Sequence, residues 1–331
     1  MMHLSYAQNM EDYHLDLIFA GQDRGTYVDV GGGHPVADNV SFHFYLKGWR
    51  GLVVEPQVQL ANLYAHVRPR DVAVSCLAGS AEGEIDFHVV DKLHGFSTTV
   101  REHAAGASQF GASYQTIRKR VRPLRTLIDE AGLGAIDFLK IDVEGAEQDV
   151  LAGMDLARQR PRILLIEAMQ PGSLAAAWAQ WEPMLLAQAY RFAFFDRLNR
   201  FYVAEEASEL LARFPPEPAP WHGVQHLWDH GRAPLRSDHP DHALAQVLLH
   251  GFLAELPCLP TALLHRLLER GLAATAPGGL TAHAIASLLG GAAASDVPSQ
   301  SADVEALLTT DAFRAALGRV ASTYDGGHLM D

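Results

Sequence analysis

"YVDVGGGHPVADNV", residues 27–40, is the stretch on which the fold turns. A β-branched run closes on an aspartate and three glycines, and a histidine and a proline separate these from an apolar segment. A strand that feeds a helix through bare glycines is the ligand turn of a doubly wound α/β sheet. Glycine lets the backbone approach a ligand, and the start of the next helix favours a negative group. The plain alternative is a tight strand-to-helix turn that holds nothing. A carboxylate at the end of the following strand argues against it: Glu55 closes "GLVVEP" (51–56), about 24 residues after Gly31, where an acidic side chain accepts both hydroxyls of an adenosine ribose.

Outward from this stretch, short β-branched runs alternate with helical ones from residue 26 to about 205. Strands are expected at 26–31, 51–56, 71–79, 136–143 and 161–168, with an inserted strand at 83–90 ("GEIDFHVV"). Helical spacing covers 40–48, 57–67, 124–132 and 173–189, the last interrupted at Pro183. "YRFAFFD" and "RFYVAEE" predict a closing antiparallel hairpin around Arg197–Arg200. Near-continuously apolar strands imply a mainly parallel sheet covered on both faces. Past residue 206 the pattern changes to a proline-rich arm and then to Ala/Leu-rich helices. The expected organisation is a ligand-binding domain at 1–206, a Pro/His-rich linker at 207–240 and a helical appendage at 241–331.

Composition narrows the partners. The chain has 331 residues, a net charge of −13 and only two cysteines. That charge disfavours nucleic acid and anionic membrane surfaces, and two isolated cysteines make neither a disulfide framework nor a metal motif. The acidic start "MMHLSYAQNMEDYHLDLIF" does not read as a leader, and no run approaches the ~20 apolar residues that cross a bilayer. A cytoplasmic protein is expected.

Both NAD and S-adenosylmethionine suit the glycine turn and the ribose acid. The dinucleotide fingerprint laid on Gly31 and Gly33 requires a small residue where Val36 stands, with Pro35 before it, so a smaller anion such as an amino-acid carboxylate fits better than a diphosphate. A second segment, "FLKIDVEGAE" (138–147), brings Asp142 and Glu144 to the end of the strand expected beside the first. They either face the ligand or cap the next helix, Glu144 being the better cap and Asp142 the better ligand group.

"YVDVGGGHPVADNVSFHFYLKGWRGLVVEPQ", "VAVSCLAGSAEGEIDFHVV", "IDFLKIDVEGAEQDVLAGMD", "PRILLIEA" and "DRLNRFYVAEE", in this order, resemble the FkbM-type family of S-adenosylmethionine-dependent methyltransferases. The resemblance runs from about Ser5 to Glu206, close to two thirds of the chain. It implies a Rossmann-like class I methyltransferase fold with a seven-stranded sheet, and methylation of hydroxyl oxygens, often on sugars. It also implies cofactor contacts from Asp29, Gly31, Gly32 and Gly33, Glu55 at the ribose, and Asp142 near the methyl donor. The glycines would then cradle the methionine portion, with their N–H groups on its carboxylate. The family pattern is close to "VDIGAN", from which Gly32, Gly33 and His34 depart.

Removing a proton from a hydroxyl calls for a base, and histidine titrates in the right range. His34 at the turn and His94 in "DKLHGFSTT" are the candidates, with His88 third, and Asp142 completes the catalytic set. Glu167, Asp196 and Asn199 are expected to bind acceptor hydroxyls, and Trp221 and Trp228 to stack on sugar faces, while Trp178 and Trp181 read as core. His222, His226 and His230, spaced i, i+4, i+8, would make a metal face only on a continuous helix, which the neighbouring prolines and Gly223 disfavour; no metal is expected. The leading reading is an O-methyltransferase acting on a saccharide or glycosylated small molecule. The alternatives are an NAD-dependent oxidoreductase and a non-catalytic assembly protein, with the apolar helix faces near the C-terminus predicting a homodimer contact or a lid.

Overall fold

The computed structural model describes residues 3–90, 94–170, 175–217, 223–273, 279–289 and 303–325. It divides into two compact units, Met1–Asp229 and His230–Asp331.

In the first unit the chain runs β1 (His3–Ser5), α1 (Glu11–Ile18), β2 (Thr26–Val30), α2 (Val40–Leu46), β3 (Arg50–Val54), α3 (Val58–Val67), β4 (Val72–Val74), β5 (Leu77–Gly79) and β6 (Gly83–Val90). It continues through α4 (Arg101–Gly106), β7 (Tyr114–Pro123), α5 (Leu124–Ala131), β8 (Phe138–Ile141), α6 (Glu147–Ala152), β9 (Ile163–Glu167), α7 (Glu182–Ala187), β10 (Tyr190–Phe195), β11 (Asn199–Ala204) and β12 (Val224–His226). A seven-stranded sheet has the order β10-β11-β9-β8-β2-β3-β4. It is mixed: parallel from β4 to β9, with β11 antiparallel to β9 and β10 antiparallel to β11. Strands β2, β8 and β9 are buried on both faces, which is why they lack polar alternation. Phe44, Trp49 and Phe138 meet under the sheet, with ring centroids 4.8 Å (Phe44–Trp49) and 4.9 Å (Phe44–Phe138) apart. From β2 the chain winds one way to β3 and β4, and from β8 the other way to β9. The crevice at this switch opens beyond Val30 and Ile141, where Gly31 and Asp142 follow.

Four local expectations change. Residues 71–79 are two strands, because a Cys76 N–H to Val74 carbonyl contact turns the chain; β4 stays in the large sheet while β5 joins β7 and β6 in a separate three-stranded sheet. Strand β7 was hidden by its charged solvent face, where Arg118 and Arg120 pair with Asp86 and Glu82. Pro183 does not interrupt a helix but sits in the first turn of α7, where a missing N–H is harmless. The segment after 206 packs as a kinked helical turn, Glu205–Arg213, and then as β12, parallel to β1.

The described residues of the second unit form helices and no strand: α8 (His242–Glu255), α9 (Thr261–Ala273), α10 (Ala282–Leu289), α11 (Val304–Leu308) and α12 (Asp311–Asp325). Its core includes Leu253, Leu264, Ile285, Leu308 and Phe313. Leu244, Val247, Leu248 and Phe252 form an exposed apolar stripe on α8. Among the described residues, no helix is long and apolar enough to cross a membrane.

Candidate functional site

The three glycines are required for three different reasons. Gly31 has φ 78°, and a Cβ there would lie 1.7 Å from the backbone oxygen of Asp142, so the turn is pressed against the chain leaving β8. A Cβ on Gly32 would strike Val53 and the Tyr64 hydroxyl. Gly33, with φ 57°, has nothing within 4 Å of its Cβ position and opens on a cleft. The N–H groups of Gly31 and Gly32 donate to the Val54 carbonyl at 2.9 and 3.3 Å, and that of Gly33 donates to Glu55 Oε2 at 2.8 Å. This corrects the expectation that the turn grips a carboxylate with its N–H groups. It offers room, and its donors are already engaged.

A buried polar network holds the turn from behind. Asn39 Nδ2 and the Tyr64 hydroxyl both donate to the Gly32 carbonyl at 2.8 Å. Arg68, fully buried, ion-pairs with Asp71 at 2.6 Å and donates to Asn39 Oδ1, Ser41 Oγ and the Tyr27 hydroxyl at 2.8, 2.9 and 3.0 Å. Asp29 belongs to this support, not to the cleft wall: it is fully buried and accepts from Ser41 Oγ at 2.6 Å. Sequence reasoning missed Arg68, which reads as a surface residue past a helix end; Ser41 on the buried face of α2 was the available signal.

The cleft encloses about 920 Å³. Glu55 lines it, buried, with Oε1 accepting from Gln57 N–H at 2.7 Å while Oε2 holds Gly33. Burial pushes its carboxyl up to about 7. His34 also lines the cleft, and its Nδ1 accepts from the N–H groups of Val36 and Ala37 at 3.2 and 3.1 Å. A ring nitrogen that accepts carries no proton, so Nε2 is the protonated one; in this pose His34 is a donor, the opposite of a base.

At the other end stand Asp142, Glu144 and Glu167, whose carboxylate oxygens lie within 4.8 Å of one another. Lys140 Nζ pairs with Asp142 at 3.1 Å and lies 3.9 Å from Asp29. Glu144 does not cap the next helix, whose N-cap residue Ala146 makes no side-chain bond; Glu147 instead accepts from Gly145 N–H at 3.0 Å, and Glu144 lines the cleft. Burial, and then repulsion from Asp142, raise Glu144 to about 9 and hold Glu167 well above the usual carboxyl range. An oxygen-only set of this kind is of the type that suits a hard cation, but two neutral carboxyls account for it without one.

The remaining candidates fall elsewhere. Asp196 and Asn199 are buried away from the cleft: Asp196 Oδ1 accepts from Leu198 N–H at 2.9 Å and closes the hairpin turn, and Asn199 Nδ2 donates to Glu11 Oε1 at 2.8 Å and ties the hairpin to α1. His88 is buried in the three-stranded sheet with Nδ1 2.8 Å from Thr116 Oγ1. The backbone of His94 begins a short 3₁₀ turn, and its side chain lies outside the described residues, as do Trp221 and His222. His226 sits on β12, not on a helix, with Nε2 2.8 Å from the Ala7 carbonyl and Nδ1 accepting from Trp228 N–H. Trp181 is core, as expected, and Trp178 packs against it. Trp228 is 61% exposed, and its Nε1 donates at 3.0 Å to Asp38, a residue of the cleft wall.

A sheet parallel from β4 to β9, a crevice at its switch point and a buried acid at the end of β3 define an α/β domain with a ligand-sized cleft at its strand ends. Residues 29–192, about half the chain, match the model of the Methyltransferase FkbM domain, and the chain carries an FkbM methyltransferase domain there. It is also similar to the AMB antimetabolite synthetase AmbE of Pseudomonas aeruginosa, at 30% identity over 218 residues, which is 62% of this chain and 10% of that protein. The chain thus spans about a tenth of the length of this curated relative. No solved structure gives a significant match.

Proposed function

We propose that the chain is an S-adenosylmethionine-dependent O-methyltransferase of the Rossmann-like class I type, acting on a hydroxyl of a saccharide or glycosylated metabolite. The observation that carries this reading is Glu55, a buried carboxylate at the end of β3 on the wall of a cleft whose far end holds three more carboxyls. The strand order, parallel up to β9 and then reversed through β11 and β10, supports the class I assignment.

The residues fit the cofactor. Each oxygen of Glu55 accepts one backbone N–H, which leaves lone pairs for a ribose diol. The open Cβ position of Gly33 leaves room for the methionine portion. The cofactor, when bound, supplies an electrophilic methyl carbon for in-line displacement. Asp142, ion-paired with Lys140, is the carboxylate we assign to accept the hydroxyl proton in place of histidine. Glu144 and Glu167, whose burial favours the neutral acid, hold acceptor oxygens by hydrogen bonds. Trp228 beside Asp38 offers an exposed aromatic face to a sugar ring. Similarity to a tenth of an antimetabolite synthetase favours a small metabolite as acceptor over a polymer. The exposed stripe on α8 supports a homodimer contact.

A diphosphate-bearing cofactor such as NAD fits worse. The N–H groups of Gly31, Gly32, Gly33, Val36 and Ala37 are all engaged within the protein, and Pro35 has none. The test is calorimetric titration with S-adenosylhomocysteine and separately with NAD, followed by transfer of labelled methyl to a saccharide panel. Micromolar binding of the first with label on a saccharide oxygen is expected. Binding of NAD alone would overturn the reading, and binding of neither would favour a non-catalytic assembly role.

A further inference from the structure

Outside the cleft, three separate elements bring metal-ligating side chains to one point. His3 on β1, Asp12 on α1 and His43 on α2 place their candidate ligand atoms within 4.8 Å of one another, and the two imidazole centroids are 4.6 Å apart. None of the three lines the cleft.

Nε2 of His3 and Nε2 of His43 are both buried without a hydrogen-bond partner. His43 Nε2 does come within 3.3 Å of Asp16 Oδ1, a contact that is an ion pair only when the ring is protonated. A buried ring nitrogen lacking a partner costs about 1–3 kcal/mol, so two at one point call for an explanation. Asp12 is fully buried and oriented by three donors: Ser5 Oγ at 2.6 Å, Tyr6 N–H at 2.7 Å and Tyr13 N–H at 2.8 Å. A carboxylate has about four acceptor positions, so one remains for a further bond. Outer hydrogen bonds of this kind are what fix a ligating carboxylate in place.

We propose that His3, Asp12 and His43 form a binding site for a divalent ion of the zinc class. Two imidazoles and a carboxylate are borderline ligands that select zinc or a neighbouring late transition ion over magnesium or calcium. Water or Asp16 completes the coordination, the latter shared with Lys47. The ion ties β1 to α1 and α2, and through β1 it steadies β12, whose His3–Val224, Leu4–Gln225 and Ser5–His226 pairs complete the small sheet.

The test uses the untagged full chain, stripped with a chelator, reloaded with zinc or cobalt, desalted and measured for bound metal. Wild type is expected to keep about one equivalent, the occupancy of a single three-ligand site. His3→Gln and His43→Gln should lose it, and Glu167→Gln, which alters the acidic cluster in the cleft, should keep it. Zinc should raise the melting temperature of wild type but not of the two histidine variants, and cobalt should give visible bands of a nitrogen/oxygen site in wild type. Failure of wild type to retain or respond to either ion overturns the proposal without reference to any variant. So does full retention in both histidine variants, or loss only in Glu167→Gln.

Discussion

Glu55→Gln is the sharpest perturbation of the cleft. The carboxylate holds Gly33 N–H at 2.8 Å and Gln57 N–H at 2.7 Å, one on each oxygen. An amide has a single acceptor oxygen, so one N–H must then face an NH₂ group. Losing a hydrogen bond to a charged group costs about 1.5–3 kcal/mol, roughly a ten- to hundredfold weaker Kd for S-adenosylhomocysteine if the ribose hydroxyls rely on the same carboxylate. The pH dependence gives a second signature. Because burial raises Glu55 to about 7, the empty protein holds it largely neutral below that pH. Ribose hydroxyls favour the ionised form, so affinity rises with pH up to about 7 and then levels, with a proton released on binding below that point. Stability of the empty protein moves the other way: a folded-state value above the unfolded one favours the fold at low pH, and that advantage is lost as pH rises from about 4.5 to about 7. Calorimetry across about three pH units, in two buffers of different ionisation enthalpy, reads affinity and proton release together. A pH-independent wild-type affinity that Glu55→Gln leaves unchanged would remove Glu55 from the ribose site.

Gly31→Ala and Gly33→Ala should separate folding from binding. The first drives a Cβ to 1.7 Å from the Asp142 carbonyl and should cost more than about 3 kcal/mol, seen as a large fall in melting temperature. The second meets no atom and should cost about 1–2 kcal/mol of left-handed strain while blocking the cofactor; equal effects on both properties would refute the distinction. Glu144→Gln removes a carboxyl raised to about 9, whose contribution to stability is full below about 4.5 and lost as pH climbs to about 9. The variant should therefore gain stability relative to wild type as pH rises, while methyl transfer falls. A melting-temperature difference that is constant with pH would show that Glu144 is not held neutral.

The alternating core was legible because β2, β3, β8 and β9 are buried on both faces and so are written as apolar runs. Strand β7 was not, because its exposed positions carry Arg118 and Arg120, and the break at Ser75–Cys76 leaves no glycine or proline to mark it. In the cleft, the glycines, Glu55, Asp142 and Glu167 could be placed from strand ends alone. What spacing cannot reveal is direction: the sequence offers Asp29, Asp196 and Asn199 as polar groups near the ligand end, yet each turns inward, Asp29 to Ser41, Asn199 to Glu11 and Asp196 to the backbone of its own hairpin. The same holds for His34, where two backbone N–H groups decide which ring nitrogen carries the proton.

The two sheets divide the cleft between them. Gly31, Glu55 and Asp142 hang on the seven-stranded sheet and its buried Arg68 network, while Leu77, Ala78, Ile85 and Phe87 reach the cleft from the three-stranded one. Exchanging a side chain on β5 or β6 leaves the large sheet's ladder and the turn behind Gly32 untouched. One wall can therefore drift under selection for new acceptors while the other is held constant, and substrate range is the property of this molecule most open to change by a few substitutions.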